Sequence, residues 1–530
     1  MNPIAIKCVA PSRVAAGEPF ALKIKVLGPS RKIECSGNYC DRKPALHSPF
    51  NLNAARKIQY HDNCLPEWSG RFRVDAGPAL AGPAEIAFDG RNQGAFPGDT
   101  RPIGVFSGFT LKSPGFHFIR LIDAESGIEG ISNPVFVTDH EPACRIFWGD
   151  PHWQTFFSDG IRCPEELYAF ARDEAFLDFG AISDHMEAIT DRQWDYFQAV
   201  TNDFNEPGRF ATLIGQEWTN HNPATGAPGH RNIYFSGDRG PAVRSNDPDC
   251  DTLAKLWQKL DGIKGQEALA IPHHSANVVM GVDWQQGWNS KYEKAVEIYS
   301  VWGSSEKHRE DGNIMPIEHC RGETRGRHVV DALKLGYRLG FVGGGDIHDG
   351  RPGEPMYTES YPPHPERFWP GGYTAVLAPV LSRRAVFDAI KKLQIRHCSF
   401  LSLAAASCAQ LFQNHVSRSA GLRRGGHVVA AFPPFADEPR FLLALEGTRG
   451  ALLQECRHRF LLILGAVQVG EQGRFEQQRA VEIHLHALVH GPLHVFQSQR
   501  RLRGHLLGHV HGRFQQLLGR EHHVHQAHGQ

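Results

Sequence analysis

The sequence predicts an α/β protein with a largely parallel sheet, preceded by a β-sandwich-like domain. Three observations carry this. Segments within residues 1–140 alternate apolar and polar side chains at period two. Short β-type runs then alternate with helical patterns over residues 145–394. His, Asp and Glu recur beside the apolar runs of that second region. Strand–helix alternation at this spacing is the pattern of strands joined by crossover helices, and about seven strands suit a barrel as well as an open sheet.

In the first part, residues 1–140, the alternating segments are 20–27 (FALKIKVL), 71–74 and 115–122, punctuated by Gly and Pro. Residues 135–138 (VFVT) read as its last strand. Nothing in it points to chemistry. In the second part, residues 141–400, the β-type runs are 145–148, 179–182, 210–214, 231–235, 268–271, 295–299 and 338–342. Helices are expected over 164–175, with Pro164 in the first turn, and over 192–204, 252–260, 327–335 and 384–393.

The tail, residues 401–530, has a different composition. It contains no Lys, Tyr, Trp or Met, yet holds 14 of the 30 His and a single Asp, Asp437. Loss of four residue types at once is not what a fold demands. It reads as a reading-frame change near residues 398–405, with a genuine His-rich tail as the alternative. The closing EHHVHQAH run (residues 521–528) has the composition of an adventitious metal binder rather than a built site.

Composition excludes several function classes. Lys plus Arg is 57 and Asp plus Glu is 57, so the net charge is zero and a polyanion-binding role is disfavoured. The longest apolar run, residues 460–469 (FLLILGAVQV), is about half the roughly 20 residues that span a bilayer. The first residues, MNPIAIKCVAPSRV, lack a secretory apolar stretch, and the 11 Cys show no paired short spacing. A cytoplasmic location is expected, with no nucleic-acid or membrane partner. The oligomeric state is not legible.

The chemistry lies beside the strand-like runs. The segments are Gly149-Asp150-Pro151-His152, Ser158-Asp159-Gly160, Ser183-Asp184-His185, Gly215-Gln216-Glu217, His230 just before its run, Pro272-His273-His274, and Asp346-Ile347-His348 after three glycines. In parallel α/β folds the carboxyl ends of strands converge on one rim, where ligands bind. Imidazole and carboxylate together suit zinc, manganese or iron. Taken singly, each segment also reads as an ordinary loop or a core histidine. The ordered series is what points to metal. Trp148, Trp153 and Trp218 read as core packing, with walls of a substrate pocket as the alternative.

The second part resembles the PHP family (polymerase and histidinol phosphatase) of metal-dependent hydrolases, in an uncharacterised branch. The matching segments are GDPHWQTFFSDG (149–160), AISDH (181–185), LIGQEW (213–218), GHRNIYF (229–235), IPHH (271–274), YSVWGSSE (299–306) and GGGDIHDGRPG (343–353). The resemblance implies a distorted seven-stranded β/α barrel holding two or three divalent ions (Mn, Zn or Fe). Its ligand positions fall on His152, Asp159, His185, Glu217, His230, His273, Asp346 and His348, with His274 the weaker alternative to His273. The family opens on His-x-His, whereas this chain has Gln154 at the second position. That departure implies a weaker ion, a compensating Asp150, or two ions rather than three.

Together these readings lead to the expectation of a phosphoesterase acting on a small anionic molecule. Asp346 or His348 would shuttle the proton, Arg351 and Arg309 would hold the substrate anion, and Asp184 would orient a neighbouring imidazole. A lactone, ester or amide hydrolase on the same ions, or a defunct hydrolase that only binds, are the alternatives.

Overall fold

A computed structural model describes residues 3–28, 31–33, 60–62, 65, 68–89, 102–160, 162–226, 228–317, 322–354 and 371–398. The anomalous tail, residues 401–530, lies outside the described residues. The described residues all belong to one compact unit.

The N-terminal part is built of short strands in three small sheets around one core, with a separate two-stranded pair of Arg31–Ile33 and Tyr60–Asp62. The strand Pro19–Leu27 pairs antiparallel with both Ala5–Val9 and Ile103–Leu111. Its burial alternates as a half-buried strand should, placing Leu22, Ile24 and Val26 inside against Phe72, Phe109 and Leu121. The segment expected over 115–122 is two strands, Gly115–His117 and Arg120–Asp123, in different sheets. Val135–Thr138 is a strand, paired parallel with Arg13–Ala15.

The second part is not the expected seven-stranded β/α barrel, nor a largely parallel sheet. The chain is strand-rich, with five α-helices among the described residues, and its strands fall into small sheets. One five-stranded sheet runs in the order Ala211–Thr212, Phe179–Ile182, Arg145–Trp153, Tyr373–Ala378, Ile395–Cys398. Its first two pairings are parallel and its last two antiparallel. Ile214–Asn220, Gly229–Phe235 and Ala268–His273 form a wholly antiparallel sheet. Ala295–Ser300 pairs parallel with Gly340–Gly343 and antiparallel with Gly303–Ser304.

Loop length explains part of the correction. A parallel crossover needs about a dozen residues, usually including a helix. Residues 221–228 are too few, and among the described ones the element formed is the 3₁₀ turn Pro223–Thr225, so the next strand returns antiparallel. The connection between Ala268–His273 and Ala295–Ser300 likewise contains the 3₁₀ turn Trp284–Gln286 instead of a helix.

The helices form where expected, with caps that set their starts. Asp191–Asp203 begins at Thr190, whose hydroxyl accepts from the Gln193 amide while the Gln193 side chain accepts from the Thr190 amide. The segment expected as one helix over 164–175 is the α-helix Pro164–Ala169 followed by a π-helical turn, Phe170–Glu174. That turn buries Phe170 and Glu174. Trp153 and Trp218 are fully buried in separate core clusters, as packing residues. Among the described residues no helix is long and apolar enough to cross a membrane.

Candidate metal centre

Glu217 is the hub of the site. It lies in Ile214–Asn220, directly opposite Asn232 of Gly229–Phe235. Two residues along, and so on the same face, Thr219, His230 and His273 form a row across the sheet. Cross-strand partners share a face, so the antiparallel register delivers two imidazoles to one carboxylate. Glu217 Oε1 lies 2.6 Å from His230 Nδ1, 3.1 Å from His273 Nε2 and 3.4 Å from His185 Nδ1. Its Oε2 lies 3.4 Å from His152 Nε2.

A second carboxylate, Asp346, approaches the same nitrogen of His152, with His152 Nε2 3.1 Å from Asp346 Oδ1. His274 Nε2 lies 2.6 Å from Asp346 Oδ2, and the Trp302 indole N–H donates to the same oxygen. Both neighbouring histidines are therefore used, His273 on Glu217 and His274 on Asp346. His274 and Asp346 each have φ 50°, a left-handed backbone unusual for a non-glycine residue. Such strain gathers at functional sites, and here it sits in the two residues that bond each other.

The third group lies nearer the surface. His348 Nε2 is 3.2 Å from Asp159 Oδ1, and His185 Nε2 is 3.8 Å from Asp159 Oδ2. The Asp159 and His185 side chains are 34% and 24% exposed, against 1% for Glu217, so this end faces the approach from solvent. The donor atoms form three overlapping triads: His152–Glu217–His273, His185–Glu217–His230 and Asp159–His185–His348.

These residues fit divalent ions. Two donors about 2.1 Å from a tetrahedral ion lie about 3.4 Å apart, the separation of His152 and of His185 from Glu217. The charge distribution agrees. Burial disfavours ionisation of Glu217, yet His185, His273 and His230 hold its carboxyl well below the usual range. Burial also opposes charge on His348, but Asp159 pushes its pKa up to about 9. Burial meanwhile holds His230, His273 and His274 below the ordinary imidazole value, so neutral donors stand beside ionised carboxylates, a surplus of negative charge that a bound cation would offset. His152 turns its other nitrogen, Nδ1, to the buried Glu297 at 3.0 Å, the carboxylate–imidazole support usual behind a metal ligand.

The residues expected to compensate or assist have other engagements. Gln154 Nε2 donates to Glu217 Oε2 at 2.6 Å, and Gln154 Oε1 lies 2.9 Å from the Ser158 hydroxyl. Asp150 accepts from three backbone amides, those of His152, Gly345 and Gly353, and burial raises its pKa to about 7. Asp184 Oδ1 accepts from the Thr155 amide and hydroxyl and the Ser158 amide, so it orders that loop. Arg351 is buried with its guanidinium 5.0 Å over Phe170, and its Nε donates to the Glu354 carbonyl. Arg309 Nε bonds Glu323 at 2.8 Å.

Two participants escaped the sequence reading. Glu297 sits inside an all-buried strand, AVEIYS, where a carboxylate among apolar residues was itself the available signal. His221, in the loop after Asn220, has Nε2 2.6 Å from His230 Nε2, and no motif marked it. A glycine also matters here. A Cβ on Gly344 would stand 2.1 Å from Glu297 Oε2 and 2.9 Å from His152 Cβ. Gly344→Ala is therefore expected to push Glu297 off His152 and weaken Mn²⁺ uptake, read by titration calorimetry. Uptake equal to that of the unaltered chain would remove Glu297 from the supporting role.

Residues 165–310 match a family described as "Protein of unknown function (DUF3604)". The match includes His185, Glu217, His230 and His273 and leaves His152, Asp159, Asp346 and His348 outside. The chain is 27% identical over 288 residues to an uncharacterised protein of Chlamydia muridarum, covering 54% of this chain and 44% of the relative. It is 28% identical over 291 residues to one of Chlamydia pneumoniae, with the same coverage. The matched stretch is thus less than half the length of these relatives. No solved structure matches the chain.

Proposed function

We propose that the chain is a hydrolase dependent on two or three divalent ions (Mn, Zn or Fe), which cleaves a phosphoester of a small anionic molecule. The observation that carries this reading is the set of overlapping triads. Glu217 and His185 each belong to two of them, so the donors form a continuous line with room for more than one ion. The likeness to the PHP hydrolases is part of the proposal and rests on these motif residues, independently of any barrel.

Ions held there would supply water activation at neutral pH and neutralise charge developing on the phosphoryl oxygens. The protein's own groups do the rest. Glu297 fixes the orientation of the His152 ring, and Gln154 holds Oε2 of Glu217. Trp302 and His274 pin Oδ2 of Asp346, leaving Oδ1 toward His152. His348 and Asp159, at the partly exposed end, are placed to move a proton to or from a substrate oxygen. A cytoplasmic location belongs to the same proposal, supported, among the described residues, by the free thiols of Cys8, Cys144 and Cys250.

The test is turnover of an aryl phosphoester and a panel of lactones by the full chain, with Mn²⁺ and with chelator. Phosphoester cleavage that needs Mn²⁺ is the expected result. Turnover of lactones alone would end the phosphoesterase reading while keeping the ions.

A further inference from the structure

We infer that Asn232 is an additional oxygen donor of this metal centre. The inference rests on the proposed reading and names a ligand outside the ligand positions that the resemblance implies.

Asn232 is fully buried in the central strand of the antiparallel sheet. It stands directly across from Glu217, on the face that carries His230 and Tyr234. Neither its amide nitrogen nor its amide oxygen has a hydrogen-bond partner. A buried carboxamide with both ends unsatisfied is costly, and native proteins rarely tolerate one without a purpose. On the diagonal of the same face, His273 Nδ1 is also without a partner, so the polar shortfall is shared around Glu217.

Elimination supports the assignment. A further donor beside Glu217 needs an oxygen that no other group engages. Gln154 lies there, but both ends of its amide are engaged, with Glu217 and with Ser158. Asp150 is the next candidate by sequence, and its two oxygens receive three backbone amides. Asn232 has an uncommitted neutral oxygen and lies in the same row as the hub carboxylate. Amide oxygen is a harder donor than imidazole. Its use at one position favours Mn²⁺ over Zn²⁺ there.

The experiment is calorimetric titration of the metal-stripped full chain with Mn²⁺, together with its thermal melt, for the unaltered protein, Asn232→Leu and Asn232→Asp. Leu has a similar size and no polar atoms. Asn232→Leu should melt higher than the stripped parent, because two unsatisfied groups are gone, while its Mn²⁺ affinity falls by about tenfold or more. Asn232→Asp should do the reverse, melting lower when stripped and binding Mn²⁺ more tightly. Unchanged affinity in either variant overturns the assignment, as does a lower stripped melting temperature for Asn232→Leu. If Asn232→Leu fails to fold, the Asp variant decides alone. Failure of the unaltered chain to take up Mn²⁺ would instead sink the hydrolase reading.

Discussion

Glu217→Gln is expected to reduce Mn²⁺ affinity by on the order of a hundredfold or more and to remove the metal-dependent turnover. The carboxylate is 1% exposed and lies within 3.4 Å of nitrogens from four histidines, 152, 185, 230 and 273. No other side chain in the site belongs to so many of these contacts. Gln keeps the volume but removes the charge, and its NH₂ would face either the ring nitrogens or the Gln154 amide group. One buried donor would then meet another, a mismatch of about 1–3 kcal/mol in the stripped protein. The measurement is Mn²⁺ titration with circular dichroism to verify the fold. A folded Glu217→Gln that takes up Mn²⁺ normally would refute the centre as drawn. Because the imidazoles must shed protons to bind, uptake by the unaltered chain should strengthen as pH rises.

Most of the donors were visible because each follows or opens an apolar run. Pro272-His273-His274 closes one run and His230 opens another, and the sheet register turns those sequence positions into neighbours. The elements themselves were also legible. The strand Phe179–Ile182 has the expected bounds, and the helix expected over 192–204 is Asp191–Asp203. Strand direction was not legible. Gly229–Phe235 is buried along its whole length, so it carries no alternation to show which neighbour lies on which side. Its direction follows from its loops and partners, and the short connection before it turned an expected crossover into a return.

Side-chain direction was the other hidden variable. Arg351 lies within the Gly-rich motif, and proximity in sequence suggested an anion holder. In the fold it stacks on Phe170 beside the Glu354 backbone. Ile103–Leu111 carries no legible strand signal for a different reason. Its core-facing pattern breaks at Ser107 and Gly108, which interrupt the period-two signal.

The residue just beyond that motif ties the two parts of the chain together, and breaking its pair with Lys25 should have the largest effect on stability. Glu354 binds Lys7 and Lys25, both from the N-terminal strands, through Oε1 and Oε2 respectively. Lys25 is fully buried and lies 5.2 Å over the Phe170 ring, with Glu174 at 4.0 Å. Tyr373 donates to the Gly353 carbonyl and Gly353 to Asp150, so the same junction reaches the loop that carries Asp346 and His348. Lys25→Met removes the buried partner of the partly buried Glu354 while Lys7 remains, and breaking a buried pair costs up to about 3–5 kcal/mol. A urea midpoint shift of that size at neutral pH is the expected result, and a shift within about 0.5 kcal/mol would show the pair to be ornamental. The acid response follows from the same geometry. Burial alone would raise the Glu354 carboxyl, but Lys25, Lys7 and Arg351 hold it well below its ordinary value of 4.5. A carboxylate depressed on folding contributes stability that is present above the unfolded value and is lost as pH falls below it. The unaltered chain should therefore weaken steadily below about pH 5, and Glu354→Gln should remove that share of the slope while starting from a lower stability. An acid limb equally steep in Glu354→Gln would place the sensitivity in other carboxylates. The junction would then join the two parts without governing their response to acid.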